Sequence, residues 1–598
     1  MCPSATHWPW CLNLTLTGAH AVGHLEWLPH LHDLHNAKQA LIVHSLHLSH
    51  RPPMLKKLDS YYPVRYSAIL LSAFTALVSL LAWVIGGVGF NLFVVSGALF
   101  ALGVYDMRQN KRAVLRNYPI VGHIRYMLEF VRPEIRQYFL ESDNEAAPFS
   151  RAQRSLVYAR AKGDADQRPF GTQLNVRAPG YEWMHHAMVT KHIDSHDFRT
   201  RVGGPACTQP YSLSLFNISA MSFGALSANA IQALNQGAAL GGFAHDTGEG
   251  SISVHHTQHG GDLIWEIGSG YFGCRDDEGN FSPERFTDNA LNTQVKMIEI
   301  KLSQGAKPGH GGMLPGAKVT PEIALARGIP VGVDCISPPS HKAFSTPKEL
   351  LAFIAQLRDL SGGKPVGIKL CVGHAWEWFA VVKAMVQTGI TPDFIVVDGS
   401  EGGTGAAPLE FSDHMGMPLK DGLRLVHNTL VGVGLRDRIK IGASGKVVSG
   451  FDIARAIALG ADWCNSARGF MFAIGCIQAQ ACHTGHCPTG VTTQDPIRQQ
   501  ALVVPNKAQR VHNFHLNTLK SLKELTEAAG LMHPRDITTD HMLHRIDDNH
   551  IAPLSELLPS VGPSQLLVDH ETQRDTTLPP AFRRFWYRSS SETFELQA

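Results

Sequence analysis

From about residue 210 onward, short apolar runs alternate with amphipathic stretches of helical period. The runs are rich in β-branched residues and end in glycine-rich or polar loops, which predicts buried strands that are each followed by a helix. Eight runs over about 260 residues favour an α/β fold, a (β/α)8 TIM barrel. An open doubly wound sheet is the main alternative, although no G-x-G-x-x-G follows the first run. The predicted strands are Leu215–Ala220, Gly242–His245, Met297–Leu302, Pro330–Asp334, Pro365–Leu370, Asp393–Asp398, Ile439–Gly442 and Asp462–Ser466.

Two of the predicted helices have clear start and stop signals. Thr346 and Glu349 are spaced as a capping box around Pro347, which would occupy the first helical position. A second helix is predicted from Ser449 to Leu459, closed by Gly460, since glycine readily takes the left-handed conformation that ends a helix.

A different pattern lies upstream, where residues 67–105 contain no charged side chain. About 20 apolar residues cross a bilayer as a helix, so two spans fit, Tyr66–Ile85 and Phe90–Tyr105, with a glycine-rich break at 86–89. A buried core hairpin is the alternative, but neither span has a polar face. Basic residues flank both ends, which predicts a membrane anchor with the main domain in the cytoplasm. They are Lys56, Lys57 and Arg65 before the spans and Arg108, Lys111 and Arg112 after them.

The first 50 residues hold 9 of the 32 histidines and show little periodicity. A metal-binding tract is one interpretation, but the histidines lack regular spacing. We expect an unstructured stretch, or an upstream extension of a protein that starts at Met54. The layout is not that of a cleaved signal peptide.

These patterns divide the chain into five parts. Arginines in the third part could lie against anionic headgroups, but a solvated helix face is favoured. The parts are a His-rich extension (1–53), a transmembrane hairpin region (54–112), a helical or irregular linker that packs on the barrel (113–204), the barrel (205–530) and a C-terminal extension (531–598).

Composition adds two limits. The net charge is +2, which gives no reason to expect nucleic acid as a partner. Charged residues make up 17% of the chain, below the roughly 25% of typical soluble domains.

Three cysteines, Cys476, Cys482 and Cys487, fall within twelve residues and the last precedes a proline. Three thiolates on one short loop can hold an iron–sulfur cluster, which predicts one-electron transfer and a second cofactor close by. Buried thiols without a ligand are one alternative. A zinc site completed by His483 or His486 is another, but the spacing differs from that of zinc ribbons. The clustered cysteines favour a reducing compartment.

Chemistry in a barrel lies at the C-terminal ends of the strands, so polar residues there are candidates for the site. Lys369 suits the carbonyl edge of a reduced flavin, where negative charge develops, or else pairs with Asp398 or Glu401. Glu249, between two glycines, could act as an acid/base, hold an ammonium group, or be only a turn residue. Phosphate binding is predicted at the last two strand ends. The residues there are Gly445, Arg468 and Gly469.

In their order along the chain, these motifs resemble the FMN-binding synthase domain of glutamate synthase over roughly residues 205–530. The resemblance implies an FMN-binding barrel with a [3Fe-4S] cluster on the three clustered cysteines. It implies an oxidoreductase acting on CH–NH2 donors: 2-oxoglutarate and ammonia form 2-iminoglutarate, which reduced flavin converts to L-glutamate. The matching segments are Ser219–Gly224, Thr247–Gly250, Lys301–Gly309 with Gly311–Gly312, Asp398–Gly405, Gly460–Ala461 and Cys476–Pro488.

The resemblance also implies roles by position. Glu249 and Lys369 are the expected catalytic residues, and Gln304 and Lys307 are expected on the substrate side. The cofactor-binding residues that the resemblance implies are Ala220, Met221, Ser222, Lys301, Lys369, Gly445 and Ser466. Gly442 and Arg468, at the ends of the last two predicted strands, complete the expected set.

The chain departs from the family pattern in ways that change the expected partners. Cys2 is followed by no glutaminase domain, so ammonia is expected from solution or from a separate glutaminase. Because no dinucleotide fingerprint is present, electrons are expected from a reductase subunit, ferredoxin or a membrane carrier. His310 stands where the family has glutamate. Two alternatives therefore remain: a membrane-associated FMN dehydrogenase of another small oxo, hydroxy or amino acid, including one that feeds quinone, and a non-enzymatic regulatory homologue.

Overall fold

Eight parallel strands close into a barrel in the structure, a computed structural model that describes residues 63–129, 144, 147–568 and 577–597. We number them β1 to β8 in chain order. Each pairs with the next, and β8 pairs with β1 to close the ring. The strands are Phe216–Ile218 (β1), His245–Asp246 (β2), Leu263–Ile267 (β3), Val295–Lys301 (β4), Val366–Leu370 (β5), Phe394–Asp398 (β6), Lys440–Ser444 (β7) and Trp463–Ser466 (β8).

The barrel predicted from the sequence is confirmed, with one strand placed wrongly. Pro330–Asp334 is not a barrel strand but part of a surface loop, in which Val331 and Val333 are more than half exposed. The missing strand is β3, whose five residues are all buried. It escaped prediction because Glu266 interrupts its apolar run, and a carboxylate is rarely buried without a partner.

Helices follow the strands and cover the barrel. Thr346 caps its helix through the predicted box with Glu349, and Ser449 caps another. The helices of the described residues are Ser67–Gly86, Phe90–Arg108, Ala113–Asn117, Arg151–Lys162, Ala228–Gly241, Val254–Thr257, Pro283–Ala290, Pro321–Arg327, Pro347–Leu360, Ala375–Thr388, Leu409–His414, Leu419–Gly432, Gly450–Ala458, Arg468–Ala473, Pro496–Gln499, Val504–Ala528, Leu554–Leu557 and Pro580–Phe585. Short 3-10 helices are Val64–Tyr66, Gly316–Lys318, Cys482–Thr484, Pro534–Asp536, Thr539–His541 and Gln565–Leu567.

Two apolar helices, Ser67–Gly86 and Phe90–Arg108, occupy the segment predicted to span a membrane. Between them Gly87 and Gly89 take positive φ, which lets the chain reverse direction. Both helices have the length and hydropathy of a span, and only 17% of each apolar window is buried. By length and composition alone this is weak evidence for a membrane. The predicted His-rich extension lies outside the described residues.

The chain divides into two units, 1–67 and 68–598. Of the first unit, the structure describes only residues 63–67. In the second unit, the helix Arg151–Lys162 lies against Val504–Ala528, whose Asn513 and Asn517 donate to carbonyls of the shorter helix. Smaller sheets lie outside the barrel. Their strands are Glu182–Met184 with Met542–Arg545 and Ile551–Pro553, Arg199–Val202 with Tyr211–Ser214, and Met313–Leu314 with Cys335–Ile336.

Glu182 ties one of these outer sheets to the barrel helices. Its carboxylate binds Lys420 at 3.0 Å, Arg455 at 3.1 Å and His544 at 3.1 Å. Burial opposes ionisation of Glu182, but the hydrogen bonds and charges of Lys420 and Arg455 outweigh it and lower its pKa below the ordinary value. The charged form of Glu182 is therefore the stabilising one.

Replacing Glu182 with Gln is expected to lower the free energy of unfolding at pH 7 by about 1–2 kcal/mol, a range reduced because Lys420 and Arg455 are partly solvated. Since the folded pKa is the lower one, the contribution is complete above the unfolded pKa and is lost as pH falls through the folded pKa. Urea unfolding of the wild type and Glu182→Gln at pH 7 and pH 4 measures the free energy of unfolding of each protein. The difference in this free energy should be smaller at pH 4 than at pH 7. A difference of the same size at both pH values would contradict a stabilising role of the charged form of Glu182.

Candidate active site

Two lysines mark the C-terminal mouth of the barrel. Lys301 ends β4, and Lys369 lies one residue before the end of β5. The two are register partners on neighbouring strands, so both side chains lie on the same face of the sheet, and both are buried. Two adjacent buried ammonium groups need compensating carboxylates.

Glu249 supplies one of these carboxylates from the loop after β2. Gly248 takes φ +65° there, and the absence of side chains at Gly268 and Gly312 leaves room for the carboxylate of Glu249. Its Oε1 lies 3.0 Å from Nζ of Lys301. Burial opposes ionisation of Glu249, but nearby cations, foremost Lys301, outweigh it and lower its pKa. Glu249 is therefore a charged side chain at the mouth.

Glu266 and Glu299 are the partners of Lys369. Nζ of Lys369 lies 2.5 Å from Glu266 Oε2 and 3.8 Å from Glu299 Oε1. Asp398 and Glu401, the partners considered from the sequence, accept hydrogen bonds from backbone amides instead. Burial opposes the charged lysine, but the two glutamates outweigh it and raise the pKa of Lys369 well above its ordinary value. Lys369 is thus a fixed positive charge.

The loop after β4 brings the two predicted substrate residues to this mouth. Lys307 is buried and donates to the carbonyl of Gly311 at 3.1 Å, while Gln304 is half-buried. The amide of Gly305 donates to Asp398 at 2.8 Å, which ties the loop to the end of β6. Burial lowers the pKa of Lys307, although Glu249 acts against that shift.

Arg327 is a further cation at the mouth that sequence reasoning missed. It ends the helix Pro321–Arg327 and donates to the carbonyl of Phe223 at 3.2 Å and to Ser222 Oγ at 3.5 Å. A side chain at Gly250 would collide with its guanidinium group. No carboxylate in the described part of the chain pairs with this buried arginine. From sequence it looked like an ordinary basic residue in the last turn of a helix.

Several other residues of the acidic interior were also missed. Asp246 and Glu299 lie on β2 and β4, and Nε2 of His341 donates a hydrogen bond to the Lys301 carbonyl at 2.8 Å. The sequence did offer one sign of this acidic interior, because Glu299 is a charged residue inside an apolar strand. His341 lies in a loop and carried no pattern of its own.

Residues predicted to bind a phosphate lie at the ends of β7 and β8. Ser466 Oγ donates to the Val447 carbonyl at 2.6 Å, and Arg468 donates to the Glu401 carbonyl at 2.6 Å. Gly445 follows β7 directly. Gly442 differs, because it lies within β7 and Trp463 fills the space beside it, so the structure does not bring Gly442 to the mouth.

The segment after β1 lies next to the end of β8, since these two strands are paired. Ala220 and Ser222 are half-buried and Met221 is buried. A side chain at Gly248 would collide with the backbone of Met221 and Ser222, so the two loops lie in direct contact. The strand-end segments after β1 and β2 therefore form one continuous wall of the mouth.

The three clustered cysteines line one small pocket after β8. Cys476, Cys482 and Cys487 are free thiols, and all three contribute to its lining. His483 and His486 are exposed and do not line it, which disfavours the zinc alternative. A side chain at Gly405 would press on Cys482, so the pocket adjoins the loop after β6.

The three thiols differ in their surroundings. Burial raises the pKa of Cys476 to about 12 and also raises that of Cys482. Burial acts the same way on Cys487, but hydrogen bonds from Thr489 and Thr492 outweigh it and lower the pKa of that thiol. Cys487 is therefore the thiol of the three that ionises most readily.

Comparison with known proteins places this site in context. A family model described as a conserved region in glutamate synthase matches residues 199–532. The glutamate synthase large subunit-like protein YerD of Bacillus subtilis (strain 168) is 38% identical over 525 residues, which cover 81% of this chain and 99% of YerD. The archaeal glutamate synthase [NADPH] of Archaeoglobus fulgidus is 36% identical over 315 residues, 52% of this chain, and the match spans 58% of that relative. A mutant flavocytochrome b2 with pyruvate bound is 13% identical and covers 70% of this chain and 85% of its own, but its TM-score of 0.36 supports no conclusion.

Proposed function

Because this chain belongs to the glutamate synthase family, we propose that it is a flavin and iron–sulfur oxidoreductase that reduces 2-iminoglutarate, formed from 2-oxoglutarate and ammonia, to L-glutamate. The observation that carries the proposal is the ion pair at the mouth of the barrel, where Lys301 Nζ lies 3.0 Å from Glu249 Oε1. Lys307 and Arg327 add positive charge around the same carboxylate and help to lower its pKa. A dicarboxylate requires cations for its two carboxylates, and its iminium nitrogen requires an anion. The mouth offers both charges.

FMN fits the residues at this mouth. The hydroxyl of Ser444, the backbone amides around Gly445 and the guanidinium of Arg468 form a donor set suited to a phosphate. Ser466 lies beside them, with its hydroxyl proton donated to the Val447 carbonyl. Lys369 supplies fixed positive charge for the carbonyl edge of the ring system. When bound there, FMN would supply the electron pair that reduces the imine.

The chain's own residues then have distinct roles. Arg327, buried and without a paired carboxylate among the described residues, would bind one substrate carboxylate, and Lys307 the other. Glu249, held ionised, would stabilise the positive charge on the substrate nitrogen. Gln304 lies on the same loop as Lys307 and would add a neutral hydrogen bond.

Cys476, Cys482 and Cys487 would hold a [3Fe-4S] cluster that passes electrons to the flavin. Their shared pocket supports this, because three thiolates around one small space are the ligand set that such a cluster needs. The donor would be a separate reductase subunit, ferredoxin or membrane carrier. Ammonia would come from solution or from a separate glutaminase.

A membrane anchor would place the cysteine loop near a bilayer. Asn117, just after the two apolar helices, donates to the Arg498 carbonyl at 3.0 Å, and Arg498 donates to Tyr118 at 2.8 Å. Arg498 follows the cysteine loop by eleven residues, so the base of the hairpin is bonded to the segment next to that loop. We propose both helices as spans with the barrel in the cytoplasm. Sedimentation of the full chain with membranes, and its release by detergent but not by high salt, tests the anchor.

The test of the function is anaerobic purification of the full chain followed by flavin and iron analysis and a screen of 2-oxo acids with ammonia and a reduced one-electron donor. We expect bound FMN, about three iron atoms per chain for a three-iron cluster, and formation of L-glutamate from 2-oxoglutarate. Turnover of a different 2-oxo acid would replace the substrate, with His310 as the first residue to examine. A protein free of flavin and iron would overturn the proposal.

Arg327→Gln is expected to raise KM for the dicarboxylate about 10- to 100-fold, because one charge-assisted hydrogen bond of about 1.5–3 kcal/mol is lost. Flavin content should stay the same. Steady-state kinetics give KM and kcat. Arg285→Gln is the control, since this exposed arginine pairs with Asp277 on the surface. An unchanged KM in Arg327→Gln would remove Arg327 from substrate binding.

A further inference from the structure

A layer of carboxyl groups lies inside the barrel beneath the two lysines. Glu266 on β3 and Glu299 on β4 are register partners. Lys301 lies two residues beyond Glu299, closer to the mouth, and is itself the register partner of Lys369. Because side chains alternate along a strand, Glu299 and Lys301 lie on the same face. The carboxyls therefore form a layer one step deeper than the ammonium groups.

Asp246 on β2 completes this layer. One carboxylate oxygen each from Asp246, Glu266 and Glu299 lie within 4.8 Å of one another, and all three side chains are buried. The backbone amide of Gly248 donates to Asp246 Oδ1 at 3.0 Å. No donor in the described part of the chain reaches Asp246 Oδ2 or either carboxyl oxygen of Glu299. A proton on one of these two carboxyls is what allows a hydrogen bond between them.

The positive charge at this layer is too small for three carboxylates. Lys369 is the close cation and is bonded to Glu266. Lys301 approaches Glu266 only to 4.0 Å and is paired with Glu249. The charged and titratable groups that face the layer are Asp246 from β2, Glu266 from β3, Glu299 and Lys301 from β4, Lys369 from β5 and Asp398 from the end of β6.

Two adjacent carboxylates in a dry interior cannot both stay ionised, so a proton remains on one of them. Burial, followed by the charge of Glu266, raises the pKa of Asp246 to about 7. Burial, followed by the charge of Asp246, raises the pKa of Glu299 well above its ordinary value. A metal ion is not needed to hold the three groups together, since the ammonium of Lys369 already lies among them.

We propose that Asp246 and Glu299 share a proton one layer below Lys369, and that this carboxyl pair takes up or releases a proton when the charge at the mouth above it changes. Only its role rests on the proposed flavin site; the shared proton does not. When dithionite delivers two electrons to flavin bound at the mouth and is itself oxidised, the added negative charge draws one proton from solvent, which forms one further O–H bond on the pair. No electron passes through the pair and no other bond changes.

The shared proton is tested first by infrared spectroscopy of the full chain, in its flavin-loaded and flavin-free forms, as a function of pH. We expect a protonated-carboxyl band in the wild type at pH 6 that weakens as the pH rises through the neutral range but does not vanish, because one proton stays on the pair. The band should shift in frequency or be lost in Asp246→Asn and Glu299→Gln, because the proton is no longer shared between two carboxyls. Asn at 246 keeps the acceptor for Gly248, and Asp421→Asn on the exposed face of an outer helix is the control. A band unchanged in both variants overturns the proposal.

The pH dependence of the midpoint potential of the bound flavin tests whether the Asp246–Glu299 pair takes up a proton when the flavin is reduced. Each further proton coupled to a two-electron reduction adds about 30 mV per pH unit, the value for a tenfold change in such a couple. The wild type and Asp421→Asn should show a steeper slope between pH 6 and 8 than the two carboxyl variants. If the variants do not fold, a wild-type slope no steeper than that of free FMN still overturns the role. A chain that binds no flavin contradicts the proposed function, whereas the infrared band then still decides the shared proton.

Discussion

Lys369→Ala is expected to lower turnover at least about tenfold, because a fixed positive charge at the point where negative charge develops is removed. The midpoint potential of the bound flavin should fall for the same reason. The loss also leaves Glu266 and Glu299 without their ammonium partner. Breaking a buried pair in this way typically costs about 3–5 kcal/mol of stability. Flavin content, potential and thermal unfolding are therefore measured together with kcat.

Lys364→Ala separates the two effects. Lys364 is also buried, but it lies before β5 at the other end of the barrel and donates to the carbonyls of Ala290 and Asn292. This control should lose stability without a change in flavin potential. If Lys369→Ala binds flavin and keeps the wild-type potential and turnover, Lys369 has no part in the chemistry.

Cys482→Ser is expected to abolish the iron–sulfur cluster and, with it, turnover that depends on a one-electron donor. Serine lacks the thiolate that the iron requires, and only Cys476 and Cys487 would remain in the pocket. FMN should stay bound, since the proposed phosphate and ring contacts lie at the strand ends. Iron analysis, electron paramagnetic resonance and flavin fluorescence after denaturation measure the three quantities.

Cys207→Ser is the matched control for this substitution. Cys207 is also a free thiol, but it lies before β1 and donates weakly to the Gly363 carbonyl, away from the pocket. Its iron content and turnover should equal those of the wild type. Full iron content in Cys482→Ser would contradict the ligand assignment.

Much of the fold follows from local pattern. Apolar runs bounded by polar loops located β1, β2 and β4–β8, and the capping box at Thr346 marked a helix start. Dependence on local pattern also explains why β3 was not predicted. Glu266 breaks the apolar run of a strand that is fully buried, because its partner Lys369 lies on another strand and leaves no local trace.

The sequence by itself determined the barrel, the two apolar helices, the three-cysteine loop and the lysines at the strand ends. These features are local, since periodicity and spacing report which face of an element is buried and where a strand stops. Only the tertiary structure decided that Lys369 pairs with Glu266 and that Arg327 reaches the mouth. It also decided that Asp246 lies beside Glu299. Such pairings depend on strand register and on side-chain direction across distant segments, so charge balance inside the barrel is a property of the closed ring and not of any one strand.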